Sequence, residues 1–111
     1  MWSMLKNDRM AAGAYAAAMR RKREKGMRFV GTDAIPGEGY GVEQVLSGEL
    51  DATFIYPTGG DRVMQIAMDI LNKRDFPRET ILSTSVVDRD NAPIMKMQTA
   101  TSVHSMRRLK P

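Results

Sequence analysis

Short apolar runs alternate with helix-like patterns along this chain, and this alternation is the feature that most constrains its fold. Three segments are predicted to form strands: 27–32, 52–56 and 81–87. A helix is predicted before each of them, which gives the order α-β-α-β-α-β. Because parallel strands need crossover connections that helices supply, the sequence predicts an α/β fold with a mostly parallel sheet.

Capping residues and glycines mark the ends of the predicted helices. The candidate N-caps are Asn7 or Asp8 for the first helix and Thr58 or Asp61 for the last. The candidate glycines at helix ends are Gly26 for the first helix and Gly48 for a short middle helix. The last helix has its apolar residues at helical spacing: Val63, Ile66, Ala67, Ile70 and Leu71.

The composition limits the class of protein and the chemistry it can perform. The 111 residues suffice for one domain or part of one, and 42% of them are hydrophobic. Cysteine is absent, which excludes disulfides, thiolate metal sites and cysteine nucleophiles. The formal net charge is +4, and no apolar run reaches the ~18 residues of a membrane span. The first six residues are too short for a signal peptide, so we expect no export signal within this chain.

A sheet of three strands is small for a parallel arrangement. Parallel sheets are normally covered on both faces, and a domain of this size buries little core. Two alternatives follow from this conflict. The chain is either a minimal compact domain or a fragment of a larger one.

Polar side chains are predicted at two neighbouring loop edges of the βα layer. Asn7 and Asp8 open the first helix, and Thr32 and Asp33 follow the first predicted strand. Small polar ligands are bound at such edges. Asn7 can exchange hydrogen bonds with ligand hydroxyls or cap its helix. Asp33 can accept from two hydroxyls or stabilise its own turn.

Thr32 and Tyr56 are further candidates, each with a structural alternative. Tyr56 follows the second predicted strand, where it can bond to a ligand, stack on a sugar ring or pack at a hinge. Thr32 can contact a ligand or simply end its strand. The residues alone do not choose between these roles.

Other functional classes find little support in the sequence. The basic run 20–25 can neutralise phosphates, but it has no interleaved aromatic residue and no helix-turn-helix spacing, so a solvated helix face is favoured. His104 stands in an unpatterned tail without a nucleophile motif. The glycines at 37, 39 and 41 lack the strand-to-helix pattern of a dinucleotide loop. We therefore expect no enzymatic activity, no nucleic-acid partner, no cofactor and no metal.

Several motifs in order resemble one known family. The segment Asn7-Asp8-Arg9-Met10-Ala11 is similar to the asparagine-aspartate-x-methionine-alanine segment of type I periplasmic binding proteins. Residues 29–33 resemble their strand that ends in a ligand-binding aspartate, and residues 45–53 resemble their helix, glycine turn and next strand. Tyr56 stands where many members have a hinge glutamine. Within this family, the chain most resembles the extracytoplasmic sensor domains of hybrid two-component regulators that detect sugars.

The resemblance implies a binding function in a periplasmic sensor or transport protein. It implies that Asn7, Asp33, Thr32 and Tyr56 contact a small sugar or polyol, and that two lobes close over this ligand. The chain would then be a partial βα layer that lacks most of the first lobe. The remainder of the domain in a full-length parent, or a second copy of the chain, would complete the cleft.

The resemblance also divides the chain into three parts. It covers residues 7–94, whereas residues 1–6 do not match the apolar strand that precedes the asparagine in this family. Residues 95–111 match nothing in the family pattern and are expected to form a flexible basic tail. Two alternatives stay open: the ligand-binding core of a LacI-type transcriptional repressor, and a truncated fragment with no independent activity.

Overall fold

The computed structural model describes residues 1–98. The strands within this range are β1 (Trp2–Met4), β2 (Arg28–Val30), β3 (Ala52–Phe54) and β4 (Val86–Asp88). The helices are α1 (Asp8–Arg20), α2 (Gly41–Ser47), α3 (Gly60–Leu71) and α4, which covers residues 92–98. A short 3-10 turn, Glu24–Gly26, precedes β2. No helix in the described range is long and apolar enough to cross a membrane.

The four strands form one sheet in the order β1-β2-β3-β4. β1, β2 and β3 are parallel to their neighbours, and β4 joins β3 as an antiparallel edge strand. The predicted α/β fold with a mostly parallel sheet is therefore confirmed. α1 contacts β1 and β2, α2 contacts β3 and β4, and the two helices contact each other, so they cover the same face of the sheet.

The sheet has one strand more than the sequence predicted, because residues 1–6 contribute β1. Trp2 pairs with Arg28, and Leu5 N–H donates to the Val30 carbonyl at 3.0 Å. Trp2 and Met4 are 74% and 73% exposed. An exposed three-residue strand has no buried apolar run, so no sequence pattern predicted it.

α1 begins as predicted and ends earlier than predicted. The Asn7 Oδ1 atom accepts from the Met10 N–H at 2.9 Å, which confirms Asn7 as the N-cap. The helix ends at Arg20, and Lys22 then adopts a left-handed φ of 52°. The predicted C-terminal role of Gly26 is wrong, because the backbone already turns at Lys22 and Gly26 lies in the 3-10 turn.

The core lies between α1, α2 and the covered face of the sheet. Its largest fully buried apolar side chains are Phe29, Leu50, Val45 and Val87. Phe29 meets the Tyr15 ring edge to face, with centroids 5.4 Å apart. α2 ends at Gly48 as predicted, because the φ of 85° at this residue suits glycine.

The opposite face of the sheet is uncovered within residues 1–98. Residues that alternate with the buried ones point to this face, including Trp2, Met4, Phe54 and Val86. α3 also has no buried residue, and its apolar side chains Val63, Met64 and Leu71 are more than half exposed. The described part therefore presents much of the apolar surface that a complete parallel domain would cover.

Two further predictions for the C-terminal half were wrong. α3 is preceded by Gly59 without a side-chain cap, so neither Thr58 nor Asp61 serves as its N-cap. The last strand is Val86–Asp88 rather than 81–87, because residues 81–85 are exposed and only Val87 is fully buried. Residues 95–98, which the sequence analysis assigned to the basic tail, belong to α4. The rest of the predicted tail, residues 99–111, lies outside the described residues.

Candidate functional site

The carboxyl ends of the three parallel strands lie side by side. Asp8 N–H donates to the Thr32 carbonyl at 2.9 Å, which brings the end of β1 beside the end of β2. Asp33 N–H donates to the Phe54 carbonyl at 2.9 Å, and Asp33 also forms an isolated bridge with Ile55. The structure thus brings the four sequence-predicted residues to consecutive positions along one edge: Asn7, Thr32, Asp33 and Tyr56.

Asn7 has a free hydrogen-bond donor in addition to its role as a helix cap. Its Oδ1 atom is used by the Met10 N–H. Its Nδ2 group has no hydrogen-bond partner among residues 1–98, and the side chain is half-buried. Since an amide carries one acceptor and two donors on separate atoms, capping leaves the donors available to a ligand.

Asp33 is held in an unusual backbone conformation. Its φ is +119°, and that of the next residue, Ala34, is +49°. Positive φ values cost non-glycine residues about 1–3 kcal/mol each and persist only where surrounding contacts hold them. Within the described range the Asp33 carboxylate takes part in no hydrogen bond or ion pair, so its acceptor oxygens are available to a ligand.

Tyr56 and Thr32 differ in how accessible they are. The Tyr56 side chain is 69% exposed, so it does not pack at a hinge within residues 1–98. Thr32 is half-buried, and its carbonyl is used by Asp8 while its hydroxyl forms no hydrogen bond in this part of the chain. Both side chains are placed to reach a ligand at this edge, and their binding role stays a prediction.

Arg9 and Tyr40 add a cation and an aromatic ring beside this edge. The Arg9 guanidinium lies 5.2 Å from the centroid of the Tyr40 ring and donates to the Tyr40 hydroxyl at 3.3 Å. Arg9 is in the first turn of α1, and Tyr40 precedes α2. Sequence reasoning missed this pair, because nothing in the sequence brings together residues 31 positions apart.

Asp8, considered only as a cap in the sequence, is the buried polar centre of the edge. It is 2% exposed, and its Oδ1 atom accepts from the Thr53 hydroxyl at 2.5 Å. Burial raises the pKa of Asp8, and the Asp33 carboxylate raises it further. Hydrogen bonds from Thr53 and from backbone N–H groups oppose this change. The second carboxylate oxygen, Oδ2, has no hydrogen-bond partner in the described range.

The raised pKa of Asp8 gives a testable dependence of stability on pH. The folded chain binds this proton more tightly than the unfolded chain, whose carboxyl titrates near 3.8. The stability contributed by Asp8 is therefore present below that pH and is lost as the pH rises through the higher pKa of the folded state. Urea unfolding between about pH 3 and pH 7 should show the wild type losing stability relative to Asp8→Asn. A constant difference between the two across this range would contradict the assignment.

Two glycines leave room for the Asp8 carboxylate. A Cβ at Gly31 would overlap Asp8 Oδ1, and one at Gly41 would overlap Asp8 Oδ2. The Cβ at position 41 would also lie 3.0 Å from the backbone nitrogen of Ile35. Asp8 cannot move aside cheaply, because it is buried and bonded to Thr53.

Gly31→Ala is expected to lower the free energy of unfolding by about 1–3 kcal/mol, the usual cost of overpacking. Gly13→Ala is the matched control, because Gly13 is on the exposed side of α1 and its Cβ would meet nothing within 4 Å. That change should instead raise stability by about 0.5–1 kcal/mol, because alanine favours the helix. Urea unfolding of both variants measures the contrast, and an equal effect at the two positions would contradict it.

Metal and phosphate sites find no support in the described part. No group of three or more His, Cys, Asp or Glu side chains within residues 1–98 could hold a metal ion. The basic residues Arg20–Arg23 and Lys25 are exposed and follow the C-terminal end of α1. That end is opposite to the edge described above, since α1 begins at this edge. The basic run therefore does not contribute to the candidate site.

Comparisons with known proteins support the fold and the kind of domain. No family model and no curated protein match the chain. Among solved structures, a fructose-binding periplasmic domain of the hybrid two-component system BT1754 is 55% identical over 93% of this chain, with a TM-score of 0.88. The neighbours with described functions are periplasmic sugar-binding domains and solute-binding proteins, not enzymes. The predicted resemblance is confirmed.

Two more distant neighbours show the fold alone. The Actinobacillus succinogenes ABC transporter solute-binding protein with bound D-allose is 23% identical over 84% of this chain, with a TM-score of 0.74. The Bacillus halodurans solute-binding protein with bound myo-inositol is 22% identical over 86% of it, also with a TM-score of 0.74. The chain spans about a third of the length of these structures, 32–34% of each.

Proposed function

We propose that this chain forms one side of a periplasmic sugar-binding site, with fructose as the first ligand to test. The observation that carries the proposal is the 55% identity to a fructose-binding periplasmic domain over 93% of the chain. The edge at which the three parallel strands end supports it, because a carboxylate and an amide donor that have no partner within residues 1–98 both lie there. Sugar hydroxyls both donate and accept hydrogen bonds, so they match this pair of groups.

Each candidate residue has a distinct part in this binding mode. The Asp33 carboxylate accepts hydrogen bonds from two neighbouring sugar hydroxyls, and the Asn7 Nδ2 group donates to a third oxygen. Thr32 adds a hydroxyl at the same edge. The exposed ring of Tyr56 covers the apolar C–H face of the sugar.

In a longer parent protein, this edge faces a second lobe across the ligand. Only the closed arrangement contacts the ligand from both sides, so binding shifts the population toward closure. Such a shift signals to a sensor kinase or presents the ligand to a transporter. The parent protein is proposed to lie in the periplasm, and the periplasmic descriptions of two neighbours support this.

The remainder of the parent domain is proposed to cover the apolar surfaces that residues 1–98 leave open. These are the uncovered face of the sheet, with Trp2 and Met4, and the apolar side of α3. The neighbours contain about three times as much chain, which is enough to supply this cover. When the chain is on its own, a second copy of it is the alternative partner that would cover these surfaces.

The fluorescence of Trp2, the single tryptophan, measures whether this face of the sheet is covered. In the isolated, monomeric chain Trp2 is 74% exposed, so acrylamide should quench its fluorescence almost as strongly as it quenches a free indole. If a second copy covers the face, light scattering should show a dimer and quenching should fall. A monomer with a protected Trp2 would contradict the uncovered face described here.

A thermal-shift series on the 111-residue chain tests sugar binding. Fructose, D-allose and myo-inositol are compared with a matched concentration of glycine as a non-sugar control. A ligand that binds the native state raises its stability by about 2.7 kcal/mol at a concentration of 100 Kd. We expect fructose to raise the Tm in a saturable way and glycine to leave it unchanged.

Two results would count against the proposal. A folded chain whose Tm and titration heat respond to no sugar would contradict sugar binding by these residues. An aggregated chain without a cooperative transition would show that the fragment has no independent activity. Light scattering on the same sample separates these two results.

A further inference from the structure

We propose that Asp8 and Thr53 are positioning residues whose hydrogen bond holds the Asp33–Ala34 turn in its left-handed conformation at the binding edge. From the sequence, Asp8 was a candidate helix cap and Thr53 had no predicted role. The structure gives the capping role to Asn7 and leaves Asp8 buried behind the turn. This inference deepens the proposed function and relies on it only for the sugar-affinity measurement below.

A chain of hydrogen bonds connects the turn to the interior. Ala34 N–H donates to Thr53 Oγ1 at 3.3 Å, and the Thr53 hydroxyl donates to Asp8 Oδ1 at 2.5 Å. Thr53 is fully buried in β3, so its hydroxyl has a fixed orientation set by these two partners. Buried hydrogen-bond chains of this kind lose more than one bond when a member is removed, because both neighbours are left unpaired.

The turn needs such support because its backbone is strained. Asp33 and Ala34 adopt consecutive positive φ values of +119° and +49°, which residues with a Cβ rarely adopt. In backbone pairing, Asp33 donates its N–H to the Phe54 carbonyl and forms an isolated bridge with Ile55, whereas Ala34 lies beyond this pairing. The bond from Ala34 to Thr53 fixes the second residue of the pair, so it determines where the chain leaves the edge.

The space around Asp8 indicates that its carboxylate is specifically accommodated. Gly31 and Gly41 lie against its two oxygens so closely that neither position has room for a Cβ. Backbone N–H groups of Ala34 and Ile35 also face the carboxylate and favour its charged form.

Thr53→Val tests the hydroxyl while keeping the shape of the side chain. Amide hydrogen exchange, read residue by residue, should become about tenfold faster at Ala34 and Ile35, as expected for loss of about 1.4 kcal/mol of local protection. Amides in the centre of α1, such as Ala14, should change only as much as global stability does. Thr53→Ser keeps the hydroxyl and should restore protection, and Thr80→Val, in an exposed loop, is the matched control.

The second measurement is the fructose affinity of the same variants, determined by calorimetry. We expect it to fall about tenfold in Thr53→Val and to return in Thr53→Ser, because Asp33 is no longer held at the edge. Exchange at Ala34 that is no faster in Thr53→Val than in Thr80→Val would overturn the inference. So would faster exchange with unchanged fructose affinity.

If the proposed function fails, the two measurements give a different pattern of results. If the wild type binds no sugar, the exchange comparison alone still decides whether Asp8 and Thr53 hold the turn. If Thr53→Val does not fold, hydrogen exchange in the wild type tests the inference instead. Its Ala34 amide should be protected despite lying in a loop, and exchange there at the rate of an unstructured peptide would overturn the inference.

Discussion

Replacing Phe29 by Ala is expected to lower the free energy of unfolding by about 3–5 kcal/mol, the largest change among these variants. Phe29 is 2% exposed at the centre of β2, and its ring meets Tyr15 edge to face at 5.4 Å. Removal of the ring forfeits its burial, its aromatic contact and the packing of the atoms around it. A domain of this size has about 5–15 kcal/mol in total, so much of the variant should be unfolded.

Urea unfolding followed by circular dichroism measures this effect. Phe76→Ala is the control, because Phe76 is 45% exposed in the loop after α3 and should change stability little. Phe29→Leu conserves most of the volume, so its cost should be below about 1.5 kcal/mol and the variant should fold. Equal unfolding midpoints for Phe29→Ala and Phe76→Ala would contradict the assignment of Phe29 to the core.

Asp33→Ala is expected to weaken fructose binding by about 1.5–3 kcal/mol for each charged hydrogen bond lost, which is more than tenfold in Kd. The Asp33 carboxylate forms no hydrogen bond within residues 1–98, so its removal should have little effect on side-chain contacts. Asp33→Asn is the matched variant, because asparagine is also enriched at positive φ, such as the +119° here, and the change removes the charge and replaces one acceptor oxygen by an N–H donor group. Calorimetry of both variants against Asp75→Ala, in an exposed loop, gives the comparison.

Asn7 offers an independent test of the same binding edge. Asn7→Asp keeps the Oδ1 acceptor that caps α1 and removes the Nδ2 donor proposed to reach the sugar. We expect lower fructose affinity with an unchanged unfolding midpoint. If Asp33→Asn and Asn7→Asp both bind fructose like the wild type, the proposed edge is not the binding site.

The parts of the fold that the sequence predicted depend on short-range interactions. Asn7 caps α1 through a residue three positions away, and Gly48 ends α2 through its own φ. Buried strands such as β2 have apolar runs that are visible without knowledge of their partners. These signals sufficed for the α/β class and for the alignment of Asn7, Thr32, Asp33 and Tyr56 along one edge.

The predictions that failed involve segments whose state depends on distant partners. β1 is too short and too exposed to have a pattern of its own, and it is a strand because β2 offers it hydrogen bonds. β4 is antiparallel because the chain returns to β3 from the other direction after α3. Neither outcome follows from local propensity, since an edge strand is selected by its neighbour.

Short-range patterns were enough to predict the class of the fold, the cap of the first helix and the strand ends at which polar residues gather. Long-range packing separates the two aspartates, because it buries Asp8 and leaves Asp33 half-buried at the edge. Asp8 and Asp33 both follow a strand, but Asp8 meets Thr53 from 45 residues away, between two glycines, while the Asp33 carboxylate stays free of partners in the described range. The reason is physical: burial and pairing depend on which segments meet in space, and those contacts are not encoded at short range.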